Sequence, residues 1–318
     1  MMYLKSIIIN MVNLSNHFFI IESPFQCKIL KKYIHSRKLS NYHLLVRLNG
    51  IKSNDNAILK ELSCLPTINQ HVITVPREKK ISLFILYITT LKLIFKYKSG
   101  YVGVFNHRNY LSKLIYLLHP NVWFFDDGMA TIENYIDSKM KMRKRCFVSI
   151  FPLEGDELIN IDYLEYGGDS KIEVNEDAIY IVTSALSYNG ILNEDDYLTI
   201  TRNIVKKYTE LGKNILLFPH RYETDSFVNE IEASVKVYKG DLDFESFIEL
   251  SMKKPKVIIG FNSTLLFLMS RDNDIIVKSI DICNIIHDEQ HKFEFIKTFD
   301  FFRSVDGIEV VDVNDFIV

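Results

Sequence analysis

Short apolar runs alternate with helix-length amphipathic segments along most of the chain. His17–Ile21, Tyr42–Arg47, His71–Val75, Tyr101–Phe105 and Val122–Phe125 are rich in β-branched and aromatic residues, the pattern of short buried strands. Pro24–Ser36, Asp55–Cys64, Ile81–Lys96 and Asn109–Leu118 separate them with helical character. Pro24 stands at the start of its helix, where its missing N–H leaves no bond unmade. Leu48-Asn49-Gly50 reads as a turn.

The rhythm breaks over Met129–Asn175, whose later part reads as an inter-domain connection. It restarts with strands at Ala178–Val182, Asn214–Phe218, Val235–Tyr238, Lys256–Ile259, Asp274–Val277 and Ile308–Val311. Between these lie helices at Glu194–Leu211, Asp225–Ser234, Phe244–Met252 and Thr264–Ser270. The first has Asn193 as N-cap and Gly212 as its stop. Strands alternating with helices imply parallel sheets covered on both faces. We therefore expect an α/β protein of two Rossmann-like, doubly wound domains, residues 1–175 and 176–318, which resembles the GT-B design, whose two domains face a central cleft. A length of 318 residues suits two domains.

Composition narrows the function. The 38 basic and 40 acidic residues leave a net charge of -2, without the basic excess a nucleic-acid partner requires. Cys27, Cys64, Cys146 and Cys283 form no CxxC pair, so neither a zinc site nor a disulfide framework is indicated, and reduced thiols suit the cytoplasm. Met1–Met11 is too short and interrupted for a signal peptide, and Met11 is an alternative start. The longest apolar stretch, Ile81–Phe95, is shorter than the roughly 20 residues that span a bilayer and contains Lys92. It reads as a buried helix, with contact to a membrane surface or a second subunit as the alternative. The basic run Lys139–Arg145 reads as a solvated helix face, with contact to a phosphate-rich or membrane surface as the alternative.

Polar residues collect where strands end. Asp126-Asp127-Gly128 follows Val122–Phe125, and Thr183-Ser184 follows Ala178–Val182. Pro219-His220-Arg221 follows Asn214–Phe218, and Phe261-Asn262-Ser263-Thr264 follows Lys256–Ile259. Ligands of open α/β sheets bind at the carboxyl ends of strands. A carboxylate there can take a proton from a hydroxyl, although Asp-Asp-Gly is also an ordinary solvated turn. Ser263 and Thr264 at a helix start suit a phosphate or serve as an N-cap. His220 titrates near neutrality in its reference state and can serve a leaving phosphate. Neither a P-loop nor a GxGxxG pattern occurs. The DxD letters at Asp241-Leu242-Asp243 and Asp272-Asn273-Asp274 read as turn or capping acids rather than metal ligands.

These residues resemble a family. Phe18-Phe19-Ile20-Ile21-Glu22-Ser23-Pro24-Phe25-Gln26 is similar to the opening of the bacterial lipooligosaccharide sialyltransferases of glycosyltransferase family 52, and Val46-Arg47-Leu48-Asn49-Gly50 to their second strand and turn. Asp126-Asp127-Gly128 resembles the acidic-acidic-glycine motif shared by several bacterial sialyltransferase families. Pro219-His220 falls at the family's His-Pro motif and Ser263-Thr264 at its hydroxyl pair. The resemblance runs from about His17 to about Ile276. Arg221 departs from it by standing where the family has proline, and Arg can itself pair with phosphate.

The resemblance implies a GT-B fold, a CMP-sialic acid donor, inversion at the anomeric carbon, and neither metal nor cofactor. It makes Asp126 the general base and His220 the acid or electrostatic partner of the departing CMP. Ser263 and Thr264 would hold the phosphate, with Arg221, Thr183, Ser184, Asn189 and Gly190 on the donor side. Asp127, Glu22, Ser23, Arg47, Asn49, His107 and Arg108 would lie on the acceptor side. Asp195 and Asp196 are rival bases that a helix N-terminus also explains.

The expected function is transfer of sialic acid to a galactose-terminated glycan of lipooligosaccharide, O-antigen or capsule. The acceptor would be lipid-linked, and the enzyme cytoplasmic, with peripheral contact to the inner membrane and a homodimer both compatible with the sequence. The alternatives are polysialyl transfer, transfer of a related nonulosonic acid, and a non-catalytic sugar-nucleotide binding protein.

Overall fold

The computed structural model describes residues 17–65, 69–76, 80–103, 110–135, 146–154, 156–162, 172–240 and 242–316. The N-terminal stretch Met1–Met11, the basic run Lys139–Arg145, and Gly155, Gly167, Gly168 and Asp241 lie outside them. The chain divides into two compact units, Met1–Tyr163 and Leu164–Val318.

The first unit is built on β1 (His17–Ile21), α1 (Pro24–Arg37), β2 (Tyr42–Leu48), α2 (Lys52–Leu62), β3 (Asn69–Thr74), α3 (Lys80–Lys96), β4 (Ser99–Gly103), α4 (Tyr110–Leu118) and β5 (Val122–Phe125). Then come α5 (Ala130–Tyr135), β6 (Cys146–Ser149) and β7 (Glu157–Asn160). Among the described residues the strands form one parallel sheet in the order β3-β2-β1-β4-β5-β6-β7. Phe18, Phe19, Ile20 and Ile21 of β1 are fully buried at its centre. Phe19 stacks on Tyr101 of β4 and Phe125 of β5, which packs β1 against its neighbour β4 and reaches across to the strand that carries the two aspartates.

Sequence assigned no strand to Met129–Asn175, where β6 and β7 lie. Both are four residues long, and only β6 is buried throughout, so their periodicity is too brief to register. A second expectation also changes. Helix α3 is not a buried helix. Leu86, Thr90, Leu93 and Ile94 face the core, while Ile81, Phe84, Ile85, Ile88 and Phe95 are exposed.

The second unit comprises β8 (Glu173–Val182), α6 (Glu194–Glu210), β9 (Asn214–Phe218), α7 (Asp225–Glu232), β10 (Lys236–Val237), α8 (Phe244–Ser251) and β11 (Lys253–Gly260). It continues with α9 (Thr264–Met269), β12 (Ile276–Asp281), α10 (Glu289–Ser304) and β13 (Ile308–Asp312). Its parallel sheet has the order β10-β9-β8-β11-β12-β13. Counted within the unit this is 3-2-1-4-5-6, the Rossmann order. β8 starts at Glu173, so residues the sequence assigned to the first domain belong to this sheet.

β11 runs through Pro255, which explains its late predicted start. Proline cannot donate a ladder hydrogen bond, and the register with β8 shifts between Pro255 and Val257 to absorb it. Lys254, nearly buried beside it, is held by Asp272 and Asp274 at 2.7 and 2.9 Å. That pair of the DxD letters therefore anchors a lysine. Asp243 caps α8 by accepting from Ser246 N–H at 2.8 Å, as expected of a capping acid. α10, unassigned in sequence, buries Phe295, Thr298, Phe299 and Phe302 at helical spacing behind its cap Asp288.

Candidate functional site

Each unit carries its polar residues at the carboxyl ends of its strands. In the first unit β5 delivers Asp126 and Asp127 in sequence, and the turn at Gly128 (φ +65) separates their environments. Asp126 is 0% exposed. Its Oδ2 accepts from Ile150 N–H at 2.6 Å, just beyond β6, while Oδ1 is buried without a hydrogen-bond partner. Burial pushes its carboxyl up to about 7. The Ile150 N–H and the Ser149 hydroxyl oppose the rise, the Asp127 charge adds to it, and the Thr131 hydroxyl opposes it. Asp127 is exposed. Its Oδ1 accepts from Ser23 Oγ at 3.0 Å, and its N–H donates to Thr131 Oγ1 at 2.8 Å.

Ser23 thus joins the carboxylate pair while capping α1, where its Oγ accepts from Gln26 N–H at 3.2 Å. Glu22 beside it receives Arg47 Nη1 at 2.7 Å. Asn49 is engaged locally. Its Oδ1 accepts from Ile51 N–H, and the Asp55 carboxylate accepts from Asn49 and Gly50 N–H, closing the turn at Gly50 (φ +86). Of the residues expected on the acceptor side, Glu22, Ser23, Arg47 and Asp127 come together at the ends of β1, β2 and β5. His107 and Arg108 lie outside the described residues.

In the second unit the strand order reverses direction between β8 and β11, and the loops after these strands part there. Gly260, at the end of β11, permits the close approach, because a Cβ on it would lie 3.0 Å from the Val182 carbonyl oxygen. Thr183 and Ser184 leave β8 on one side, and Ser263 and Thr264 follow β11 on the other. Ser263 is the N-cap of the six-residue α9, its Oγ accepting from Leu265 N–H at 3.3 Å. The capping reading therefore holds.

His220 follows β9, and its backbone N–H donates to Thr183 Oγ1 at 2.7 Å, tying two of the three strand ends together. Its Nδ1 accepts from Tyr222 N–H at 3.3 Å, which leaves the ring proton on Nε2. Burial, with help from the Arg221 charge, lowers His220 to about 4, so the imidazole is neutral at pH 7. Arg221 lies over the Tyr222 ring. Asn189 and Gly190 form the turn after β8, with Gly190 at φ +70. Asp195 and Asp196 occupy the first turn of α6, where Asn193 caps by accepting from Asp196 N–H at 2.8 Å.

Sequence reasoning missed Glu223 and Tyr197. The Tyr197 hydroxyl accepts from Ser184 N–H at 2.9 Å and lies 2.8 Å from the Ser184 carbonyl and 3.2 Å from Glu223 Oε1. Burial pushes Glu223 up to about 7, against hydrogen bonds from Thr183 and Tyr197 and with the charge of Glu194, and its Oε2 is buried without a partner. No sequence signal marks either residue, because α6, β8 and the loop after β9 meet only in the fold. Among the described residues no three His, Cys, Asp or Glu side chains cluster as a metal site.

No family model matches the chain, and no curated protein matches it. Solved structures do. A putative UDP-N-acetylglucosamine 2-epimerase from Listeria monocytogenes is similar with a TM-score of 0.53 at 7% identity, over 84% of this chain and 80% of that one. An alpha/beta-galactoside alpha-2,3-sialyltransferase from the luminous marine bacterium Photobacterium phosphoreum has a TM-score of 0.49 at 11% identity, over 95% and 99%. MurG of Acinetobacter baumannii has a TM-score of 0.49 at 11% identity, over 94% and 87%. At such identities the likeness is one of fold. Together with the two strand orders it shows an α/β chain of two Rossmann-like units, the make-up of a GT-B fold.

Proposed function

We propose that the chain is an inverting, metal-independent sialyltransferase that moves sialic acid from CMP-sialic acid to a galactose-terminated glycan. The observation that carries the reading is the second unit's switch point, where Thr183 and Ser184 follow β8, Ser263 and Thr264 follow β11, and His220 is tied to Thr183. Hydroxyls and a neutral imidazole N–H suit a phosphate monoester without requiring a metal. The first unit carries an exposed carboxylate, Asp127, just after β5.

The acceptor hydroxyl oxygen attacks the anomeric carbon, its proton passes to a carboxylate, and the bond from that carbon to the phosphate oxygen breaks as CMP leaves. Asp126 was the expected base. Its complete burial and its bond to Ile150 N–H favour Asp127 for direct contact with the acceptor, oriented by Ser23. Asp126 then positions the segment behind it. A phosphate is already a competent leaving group, so His220 acts as a hydrogen-bond donor through Nε2 to the developing charge. Arg221 adds charge pairing.

Incubation of the purified chain with CMP-sialic acid and lactose, with CMP release and product stereochemistry followed, tests the reading. Release dependent on acceptor, with inversion, supports it. Turnover of a UDP-sugar in place of CMP-sialic acid overturns it.

A further inference from the structure

Helix α3 is apolar on two sides. Its inner stripe, Leu86, Thr90, Leu93 and Ile94, packs on the core. Its outer stripe, Ile81, Phe84, Ile85 and Ile88 continuing to Phe95, follows the i, i+3, i+4, i+7 spacing of a single helix face. Phe84 is 66% exposed, Ile81 77% and Phe95 79%. The stripe extends ~21 Å along the axis at the usual helical rise. Helix α4, packed beside α3, adds Leu117 and Leu118, both exposed. Scattered exposed leucines are ordinary in folded proteins, but a continuous face containing two largely exposed phenylalanines marks an interaction surface.

The charge around the face selects the partner. Lys80, Lys92, Lys96 and Lys98 are all exposed, and Lys80–Lys98 contains no Asp or Glu. Lys92 and Lys96 lie on the outer face itself, one and two turns from Ile88. A two-fold contact with a second copy of this chain would bring together two lysine-bearing faces that offer no Asp or Glu to pair with, which disfavours that partner. An anionic surface meets them with opposite sign. Lysine stems lie along apolar surface while their ammonium groups reach outward, which suits a helix lying in a lipid headgroup layer. At 17 residues α3 is too short to span a bilayer, and no helix among the described residues is long and apolar enough to do so.

We propose that the α3 face, with the end of α4, is a docking surface for an anionic lipid bilayer. Phenylalanine and isoleucine side chains enter the interface and the lysines engage the headgroups. The proposal does not depend on the transferase reading. A transferase docked this way would work on a lipid-linked acceptor held at that surface.

Co-sedimentation of the full chain with vesicles tests it, using phosphatidylcholine alone and phosphatidylcholine with about 30% phosphatidylglycerol. Binding to the anionic vesicles is expected, weakened by salt as the Debye length falls. Phe84→Gln with Phe95→Gln is expected to weaken binding roughly tenfold or more, because the apolar area entering the interface is lost. Both side chains point outward, so the variant folds as the parent does. Lys92→Glu with Lys96→Glu is expected to abolish the preference for phosphatidylglycerol. Failure to bind anionic vesicles overturns the proposal, as does equal binding to both vesicle types. A dimer in light scattering that Phe84→Gln with Phe95→Gln converts to a monomer, without vesicle binding, assigns the face to a second copy and also overturns it.

Discussion

Replacing Asp126 by asparagine separates stability from function in one residue. Asp126 is fully buried and its carboxyl is pushed up to about 7 from an ordinary 3.8. Between about pH 4 and 7 the folded chain holds a proton that the unfolded chain has released. Stability therefore falls as pH rises through that window, and the loss is complete above about pH 7. A shift of this size corresponds to about 4 kcal/mol, of which two to three, on the order of 1.4 per pH unit, fall between about pH 5 and 7. Asparagine has nearly the shape of the protonated acid, and its Oδ1 can accept from Ile150 N–H. Asp126→Asn should match the parent near pH 4 and exceed it at pH 8 by an amount of that order. Urea unfolding of parent and variant at pH 5 and pH 8, followed by Trp123 fluorescence in the first unit, measures the difference. A variant less stable than the parent at pH 8, or a difference that does not change with pH, refutes the reasoning. Transfer should fall in the same variant, because a natural sequence that tolerates a buried carboxyl at this cost is expected to gain function from it.

Asp127→Asn should abolish CMP release to an acceptor while leaving CMP affinity within about twofold by calorimetry, because an amide cannot take the proton; transfer equal to the parent's would return the base role to Asp126. Ser263→Ala with Thr264→Ala should weaken CMP binding by roughly 1.5–3 kcal/mol per hydrogen bond to the charged phosphate, with the acceptor KM unchanged. His220→Asn should retain more activity than His220→Ala, and kcat/KM should show no alkaline limb from this group, since the free-protein imidazole is already neutral above about pH 4; activity should also survive EDTA, and a loss that manganese restores would point to a metal-dependent enzyme. Gly307→Ala should destabilise the second unit by about 1–3 kcal/mol, because Gly307 sits at φ +88 and an added Cβ would lie 2.7 Å from the Ser270 carbonyl oxygen; a midpoint within error of the parent's would contradict the strain argument.

Local sequence determined the strands and caps. β1, β5 and β9 have their predicted bounds, because four or five consecutive apolar residues ended by a polar turn need no distant partner to be recognised. Asn193 and Asp243 act as caps because capping is a contact three residues long. The clustering of hydroxyls, His220 and carboxylates at strand ends was equally legible, since alternation with helices makes the strands parallel and puts their carboxyl ends on one side of each sheet.

Tertiary structure decided what depends on distant neighbours. That Asp126 is sealed and Asp127 open follows from Ile150 and Ser23 arriving beside them, 24 and 104 residues away in the chain. The lowering of His220 and the raising of Glu223 follow from burial that no local pattern encodes. β6 and β7 became strands because an existing sheet edge accepted them, which four-residue segments do not advertise by themselves. Helix α3 shows the limit most directly. Its sequence is apolar on both sides and broken only by lysines, which predicts a buried helix, yet the core covers only one side. Hydrophobicity set how much surface the helix would need to hide, and the fold alone determined which half was left uncovered.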